Sequence, residues 1–213
     1  MIRLVCVLIG YCFGLFQTAY IIGKIHGIDI REYGSGNSGT TNMLRTLGKK
    51  AGLLTFAGDC LKCMAAIWLI RIIFGKSYAN ILPLLSVYTG AGVILGHNFP
   101  FYLNFRGGKG IASTAGMVLT MNLPLIILGI IAFFGTTLVT HYVSLGSIMV
   151  YVMLLIAVPV LGEQGAYGMA QPYRIEMYIV IAALALMAFW RHRANIVRLL
   201  HGNERKTYLF KKQ

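Results

Sequence analysis

The chain has 213 residues, of which 57% are hydrophobic and only 12% are charged, and its mean hydropathy is +0.72. So few charges cannot cover the surface of a water-soluble protein of this length. The composition therefore excludes that class and predicts an integral membrane protein. The net charge of +13 suits anionic lipid headgroups and anionic substrates. Because this charge is spread among short segments rather than gathered on one basic domain, nucleic acid is not a predicted partner.

Apolar segments long enough to cross a bilayer recur along the chain, with no linker or repeat between them. They predict an all-α membrane protein with about seven transmembrane helices in one domain, residues 1–213. The predicted spans are 2–23, 51–74, 79–96, 111–121, 123–140, 145–161 and 174–190, of which the fourth is short. The first has too long an apolar run for a signal peptide and no cleavage site, so we expect a retained helix. The spacing of Gly10 with Gly14, and of Gly92 with Gly96, predicts close helix packing.

The distribution of lysine and arginine predicts the orientation. If the connections after the first, third and fifth spans share a side with the C-terminus, that side holds 14 of the 19 cationic residues. They are Lys24, Arg31, Arg45, Lys49, Lys50, Arg106, Lys109, Arg191, Arg193, Arg198, Arg205, Lys206, Lys211 and Lys212. The other side holds Arg3, Arg71, Lys76 and Arg174. The positive-inside rule then places the N-terminus outside and the C-terminus in the cytoplasm.

A polar, glycine-rich segment, YGSGNSGTTN from Tyr33 to Asn42, lies between the first two spans. Its glycines allow backbone N–H groups to converge on one oxyanion, and its serine and threonine hydroxyls add donors. A flexible connector is the alternative interpretation, but a connector does not need asparagines and an arginine beside the glycines. We therefore predict a phosphate cradle. Its candidate residues are Gly34, Ser35, Gly36, Asn37, Gly39, Thr41, Asn42 and Arg45.

A second glycine-rich segment follows the third span on the same predicted side. The sequence GHNFP, which contains His97, runs into FRGGKG, which contains Gly107, Gly108 and Lys109. Lys109 and the amide groups at the start of the next helix can hold a second anion. His97 is expected to form hydrogen bonds at a helix end and is a candidate substrate ligand rather than a catalyst.

Two more polar segments fall on this side, HYVSLGS from His141 to Ser147 and a basic segment from Arg191 to Glu204. In the second, His192 and Asn195 are three residues apart and share a helical face. For Arg193 and Arg198 we favour a basic amphipathic helix at the lipid surface.

Polar residues within the second span have structural interpretations. Asp59 and Lys62, three residues apart, are predicted to neutralise each other inside the membrane. The CxxC pair Cys60 and Cys63 is interpreted as packing rather than a metal or redox site, since no second pair or histidine is near in sequence.

In order and spacing, the four polar segments resemble the bacterial acyl-phosphate:glycerol-3-phosphate acyltransferase family, which makes lysophosphatidic acid at the start of phospholipid synthesis. The resemblance extends from the first span to Glu204. It implies a multi-pass protein of the bacterial plasma membrane whose active site faces the cytoplasm. It also implies that Ser144, His192 and Asn195 complete a glycerol-3-phosphate pocket.

The chain departs from the family pattern at three of these positions. Members usually carry proline at Ser38 and alanine at Thr40, changes that leave the glycines of the cradle intact. They usually carry glutamate at Ala194, so any carboxylate that positions His192 must be absent here or supplied elsewhere.

Two residue patterns that are missing from the sequence, clustered carboxylates and a histidine–aspartate pair, narrow the possible acyl or phosphoryl transfer chemistry. The six carboxylates are dispersed along the chain, which disfavours a Mg²⁺-dependent phosphotransferase. None of the five histidines has an aspartate five positions later, the pair that acyltransferases using thioesters commonly carry. An acyl phosphate is already activated, so aligning the reactants and stabilising anionic charge suffice.

The sequence therefore predicts acyl transfer from acyl phosphate to glycerol-3-phosphate, without metal or cofactor. The residues with predicted catalytic roles are Ser35, Arg45, Lys109 and His192. We expect His192 to orient the acceptor while a donor phosphate oxygen takes the proton.

Two other classes stay open from the residues alone. A membrane transporter for phosphate or a phosphoester would also need cradles and basic residues, but along a midplane pathway open to both sides. A non-enzymatic protein that binds anionic lipid would explain the charge but not the glycine loops.

Overall fold

A computed structural model describes residues 1–208; Lys211 and Lys212 of the orientation count lie outside the described residues. All regular structure in the described part is helical. The helices are α1 (Ile2–Gly14), α2 (Thr18–Ile25), α3 (Thr40–Phe74), α4 (Leu82–Asn98), α5 (Ile111–Leu119), α6 (Leu123–Ile130), α7 (Thr136–Thr140), α8 (Val143–Glu163), α9 (Gln171–Arg191) and α10 (Arg193–Leu200). Short 3₁₀ turns lie at Ile30–Glu32, Ala79–Ile81 and Phe101–Leu103, and a π-helical turn, Ile131–Gly135, joins α6 to α7.

Six helical segments in residues 1–208 are long and apolar enough to cross a membrane, which confirms the all-α membrane class. They are Ile2–Ile25, Thr40–Phe74, Ala79–Leu103, Leu123–Thr140, Val143–Glu163 and Gln171–Arg191. Large apolar side chains such as Leu53, Ile72 and Leu186 are exposed on them, as expected of surfaces that contact lipid.

The predicted fourth span forms the nine-residue helix α5, which is too short to be counted among those six. It nevertheless runs along α3 toward the far end of that helix. Near its start, the Ser113 hydroxyl donates to the Asp59 carbonyl oxygen (3.3 Å). At its end, the Arg71 guanidinium donates to the carbonyl oxygen of Thr120. The loop that follows α4, together with α5, is therefore the candidate for the seventh passage that the sequence predicts.

Helices α1 and α4 pack through the two glycine pairs predicted from sequence. A Cβ at Gly14 would lie 2.8 Å from the Gly96 Cα, and a Cβ at Gly10 would lie 3.1 Å from the Gly92 Cα. The two backbones therefore approach closely, as expected of small residues spaced four apart.

Packing divides the chain into two compact units, Met1–Thr120 and a second that begins at Met121. The first unit contains both glycine-rich loops, and the second contains Ser144, His192 and Asn195. The prediction of one domain stays a prediction.

Candidate active site

The first glycine loop is braced by the side chain of Asn42. Its Oδ1 accepts from the Ser35 backbone N–H (2.9 Å), and its Nδ2 donates to the carbonyl oxygens of Ile30 (3.1 Å) and Tyr33 (3.0 Å). Gly34 has φ +61°, in the left-handed region that favours glycine, and a Cβ there would overlap Asn42 Oδ1. The observed contacts of Asn42 thus shape the loop, while its predicted contact with substrate stays a prediction.

An ion pair fixes the start of this loop. The Arg31 guanidinium contacts the Asp29 carboxylate at 2.6 Å and also donates to the Leu103 carbonyl oxygen (3.3 Å). The hydrogen bonds from Arg31 lower the pKa of Asp29 to about 2.

The last three residues of the predicted loop are helical, which corrects the sequence interpretation. Helix α3 begins at Thr40, so Thr41 and Arg45 lie on its first turns, and the helical conformation breaks at Gly48, which has φ +84°. The N-cap residue is Gly39, which has no side chain to accept a hydrogen bond from the first amide groups. The first amide groups of a helix lack intrahelical acceptors, so they add N–H donors to those of the glycine loop.

The second glycine loop folds back on the end of α4. The N–H groups of Gly107 and Gly108 donate to the carbonyl oxygens of Asn98 (3.2 Å) and His97 (3.1 Å). A Cβ at Gly108 would overlap His97 Nε2 and lie 2.8 Å from the Ser38 carbonyl oxygen. Both glycine loops and His97 therefore meet at Gly108, a position that only glycine can occupy.

Lys109 follows directly and is partly buried. Next to it, the N-cap residue of α5 is Gly110, with φ +79°, which also has no side chain to accept a hydrogen bond from the first amide groups. The structure thus places Lys109 beside a second set of helix N-terminal amides, the arrangement that favours an anion.

The predicted pairing of Asp59 with Lys62 is confirmed by a distance of 2.8 Å between Nζ and Oδ1. His97, which is 3% exposed, also contacts this pair: its Nδ1 lies 2.9 Å from Lys62 Nζ. The sequence did not indicate this third member.

In the second unit, the Glu204 carboxylate holds two of the predicted pocket residues. Its Oε1 accepts from Ser144 Oγ (2.9 Å) and Asn195 Nδ2 (2.7 Å), and its Oε2 accepts from Arg198 Nε (2.7 Å). Burial opposes ionisation of Glu204, but these hydrogen bonds outweigh it and lower its pKa. Sequence reasoning missed this role of Glu204; the only signal was one carboxylate within a basic segment.

Arg198 pairs with Glu204 while its side chain stays 43% exposed, so its position at the lipid surface stays a prediction. Arg193 does fit an exposed position, since its guanidinium lies over the Trp190 ring, 4.5 Å from the centroid.

His192 is 3% exposed, and its Nδ1 lies 2.8 Å from the Ala188 carbonyl oxygen. A carbonyl oxygen can only accept, so Nδ1 carries the proton and Nε2 of the neutral ring is an acceptor. Ala194 is exposed, so a glutamate side chain there would start from the exposed face of α10. The Ala188 carbonyl oxygen orients the imidazole without it.

Comparison with known proteins adds an independent line of evidence. Residues 4–202 match the family model described as glycerol-3-phosphate acyltransferase. The glycerol-3-phosphate acyltransferase of Alkaliphilus metalliredigens (strain QYMF) is 40% identical over 208 residues, 97% of this chain and 96% of the relative. That of Clostridioides difficile (strain 630) is 38% identical over 206 residues, 95% and 94% of the two chains.

Two solved structures have a similar fold. The crystal structure of PlsY (YgiH), an integral membrane glycerol 3-phosphate acyltransferase, in its glycerol 3-phosphate form aligns with TM-score 0.81 and 32% identity. The alignment covers 98% of this chain and 99% of that one. The lysophosphatidic acid form aligns with TM-score 0.79, covering 97% and 96%.

Proposed function

The chain belongs to the glycerol-3-phosphate acyltransferase family, and from this premise we propose that it uses acyl phosphate as the donor. The 1-hydroxyl oxygen of glycerol-3-phosphate attacks the acyl carbon, and the bond from that carbon to the phosphate oxygen breaks. The products are lysophosphatidic acid and inorganic phosphate. We assign the reaction to the cytoplasmic face of the bacterial plasma membrane.

The meeting of the two glycine loops and His97 at Gly108 carries this proposal. Two helix N-termini, those of α3 and α5, are capped by glycine rather than by a side-chain oxygen, and each lies next to a glycine loop. Amide N–H groups there can bind the phosphate groups of donor and acceptor. Arg45 would add a bidentate fork and Lys109 a point charge, both suited to phosphate.

The proton of the attacking hydroxyl goes to an oxygen of the departing phosphate, so no protein base is needed. His192 Nε2 is oriented as an acceptor and would hold the hydroxyl by one hydrogen bond. Ser144 and Asn195, fixed by Glu204, would contact the rest of glycerol-3-phosphate.

Metal independence is part of the proposal and has support in how the carboxylates are used. Four of the six contact a cation: Asp29 contacts Arg31, Asp59 contacts Lys62, Glu163 contacts Arg174 and Glu204 contacts Arg198. Clustered carboxylates are what a magnesium site would need.

The test is incubation of purified protein in detergent with labelled glycerol-3-phosphate and either acyl phosphate or acyl thioester. We expect lysophosphatidic acid from acyl phosphate alone, at a rate that a chelator leaves unchanged. Equal use of the thioester, or a strict need for Mg²⁺, would refute the proposal. Product formed without sealed vesicles would exclude a pure transporter.

The role of His192 has its own test. We expect His192→Gln to keep measurable turnover, with most of the loss appearing as a raised KM for glycerol-3-phosphate. Ala194→Glu, on the exposed side of α10, is the matched control and should behave like wild type. If the glutamine variant binds glycerol-3-phosphate normally yet never turns over at any pH, His192 is an obligatory base.

A further inference from the structure

The buried pair Asp59 and Lys62 has more contacts than mutual neutralisation requires. Lys62 Nζ lies 2.8 Å from Asp59 Oδ1, 2.6 Å from the Phe16 carbonyl oxygen and 2.9 Å from His97 Nδ1. A fourth acceptor, the carbonyl oxygen of Gly14, is farther away at 3.5 Å. The three N–H bonds of one ammonium group are thus matched by three close acceptors, one of them the imidazole.

An ammonium group is only a donor, so the contact requires a lone pair on His97 Nδ1. The proton of the neutral ring is then on Nε2. That nitrogen faces Gly108, where the two glycine loops meet. His97 Nδ1 does not form a hydrogen bond with the Asp59 carboxylate, because it lies 3.6 Å from Asp59 Oδ1.

The neighbours of the pair hold it in this geometry. The Thr18 hydroxyl donates to Asp59 Oδ1 (2.9 Å), and the Gln17 side-chain amide donates to the His97 carbonyl oxygen (3.1 Å). Asp59 is 1% and Lys62 7% exposed. Burying two charges costs free energy of desolvation, which their mutual attraction often does not recover. A buried charged pair within a membrane span is therefore a candidate for a functional role.

We propose that Asp59 and Lys62 are positioning residues that fix the tautomer of His97, so that its Nε2–H is presented as a donor to the phosphate bound at the glycine loops. This deepens the proposed function and rests on it for the identity of the phosphate. The Asp59 carboxylate pairs with the Lys62 ammonium, the ammonium donates to Nδ1, and the ring then carries its proton on Nε2. Without the ammonium, either ring nitrogen can carry the proton.

The decisive variant is the double substitution Asp59→Asn with Lys62→Met. It removes both charges together, so no buried charge is left unpaired and the protein is expected to fold. We expect the KM for glycerol-3-phosphate, and the inhibition constant for inorganic phosphate, to rise in inverse proportion to the fraction of His97 that keeps its proton on Nε2, about twofold for an even mixture. If both constants stay at wild-type values, the pair does no more than neutralise itself.

A cycle with His97→Ala separates positioning from general damage. If the pair acts through His97, adding the double substitution to His97→Ala causes little further loss. If the fold-changes in the inhibition constant from His97→Ala and from the double substitution multiply in the combined variant, the proposal is refuted. Arg71→Met is the control for losing a cation from α3, since Arg71 contacts Ser86 and Thr120 rather than His97. It should leave the inhibition constant for inorganic phosphate unchanged.

The tautomer itself can be read by ¹⁵N NMR of histidine-labelled protein, with the signal of His97 assigned by its loss in His97→Ala. We expect a protonated Nε2 and an unprotonated Nδ1 in the wild type, and a mixture in the double variant. A protonated Nδ1 in the wild type would overturn the proposal even if the double variant fails to fold. The NMR measurement does not depend on which acyl donor the enzyme uses. A failure of the proposed function in the activity assay can therefore be distinguished from a failure of this proposal.

Discussion

Arg45 and Lys109 differ in how each can hold a phosphate, and both should be needed for activity. Losing one charge-assisted contact in a site shielded from water costs about 2–4 kcal/mol at the transition state. Arg45→Ala and Lys109→Ala should therefore lose roughly two to three orders of magnitude in rate while remaining folded. Turnover with acyl phosphate and elution as a single folded species are the measurements.

The control for the loss of positive charge is Lys50→Ala, because Lys50 is exposed just beyond the kink at Gly48. We expect near-normal activity from it. Near-normal turnover in Arg45→Ala or Lys109→Ala would remove that residue from the site.

Glu204 should act on binding of glycerol-3-phosphate through the residues it holds. In Glu204→Gln one carboxylate oxygen becomes an amide nitrogen, so either Arg198 or the pair Ser144 and Asn195 faces a donor instead of an acceptor. We expect KM for glycerol-3-phosphate to rise about tenfold, the loss of one such hydrogen bond, with a smaller change in kcat. Glu163→Gln removes an ion-paired carboxylate at an exposed site and should change neither constant.

The pH dependence of these contacts follows from the lowered pKa of Glu204. A carboxyl whose pKa is lower in the folded than in the unfolded state stabilises the fold above the unfolded value, about 4.3 for glutamate. That contribution is lost as pH falls through the lowered pKa. A rise in KM for glycerol-3-phosphate between about pH 8 and 5 in the wild type, absent from Glu204→Gln, would contradict this assignment.

At the residue scale, the sequence identified groups with chemistry but not their partners. Arg45, Lys109 and His192 stand out because charged and titratable side chains are rare in an apolar chain. The contacts of Glu204 with Ser144 and of His97 with Lys62 could not be predicted, since they join positions 60 and 35 residues apart. The contacts of Asn42 are nearer in sequence but depend on how its loop folds.

Among the structural elements, the first glycine loop contains a residue, Gly34, whose positive φ is unfavourable for residues with a Cβ. Gly27, which lies before this loop, also has a positive φ and serves as the comparison. Gly34 and Gly27 both have positive φ, +61° and +75°, so alanine at either costs about 1–2 kcal/mol in the backbone. A Cβ at Gly34 would also overlap Asn42 Oδ1, whereas one at Gly27 meets nothing within 4 Å. We expect Gly34→Ala to lose at least tenfold in activity and Gly27→Ala to stay close to wild type.

Equal activity of the two alanine variants would show that Asn42 does not set the loop conformation needed for catalysis. Thermal unfolding checks that both variants stay folded at the assay temperature, with Gly34→Ala the less stable because of its overlap with Asn42.

Helix boundaries were the weaker part of the sequence interpretation. The apolar spans were found because about twenty apolar residues are needed to cross a bilayer. The helical turn from Thr40 was missed because polar residues and glycines at a helix start resemble a loop. Helix α5 was too short for a length criterion, yet its contacts with Asp59 and Arg71 carry the chain along α3.

For the whole molecule, the side of the membrane on which the C-terminus lies is still a prediction. It depends on whether α5 and the loop before it cross the membrane. If α5 with its preceding loop completes a passage, the chain crosses seven times and the C-terminus lies on the cytoplasmic side. If it does not, every residue after α5 changes sides. The positive-inside count favours seven passages.

Single cysteines in a background without the four native ones can distinguish the two cases. Exposed positions for them are Lys50, Lys76, Gln164 and Arg205. With seven passages, a membrane-impermeant maleimide added to intact cells should label Lys76→Cys and Gln164→Cys, and should label Lys50→Cys and Arg205→Cys only after lysis. Labelling of Arg205→Cys but not Gln164→Cys in intact cells would mean six passages. Ser144 and His192 would then face the outside, and the proposed acyl transfer at the cytoplasmic face would have to be abandoned.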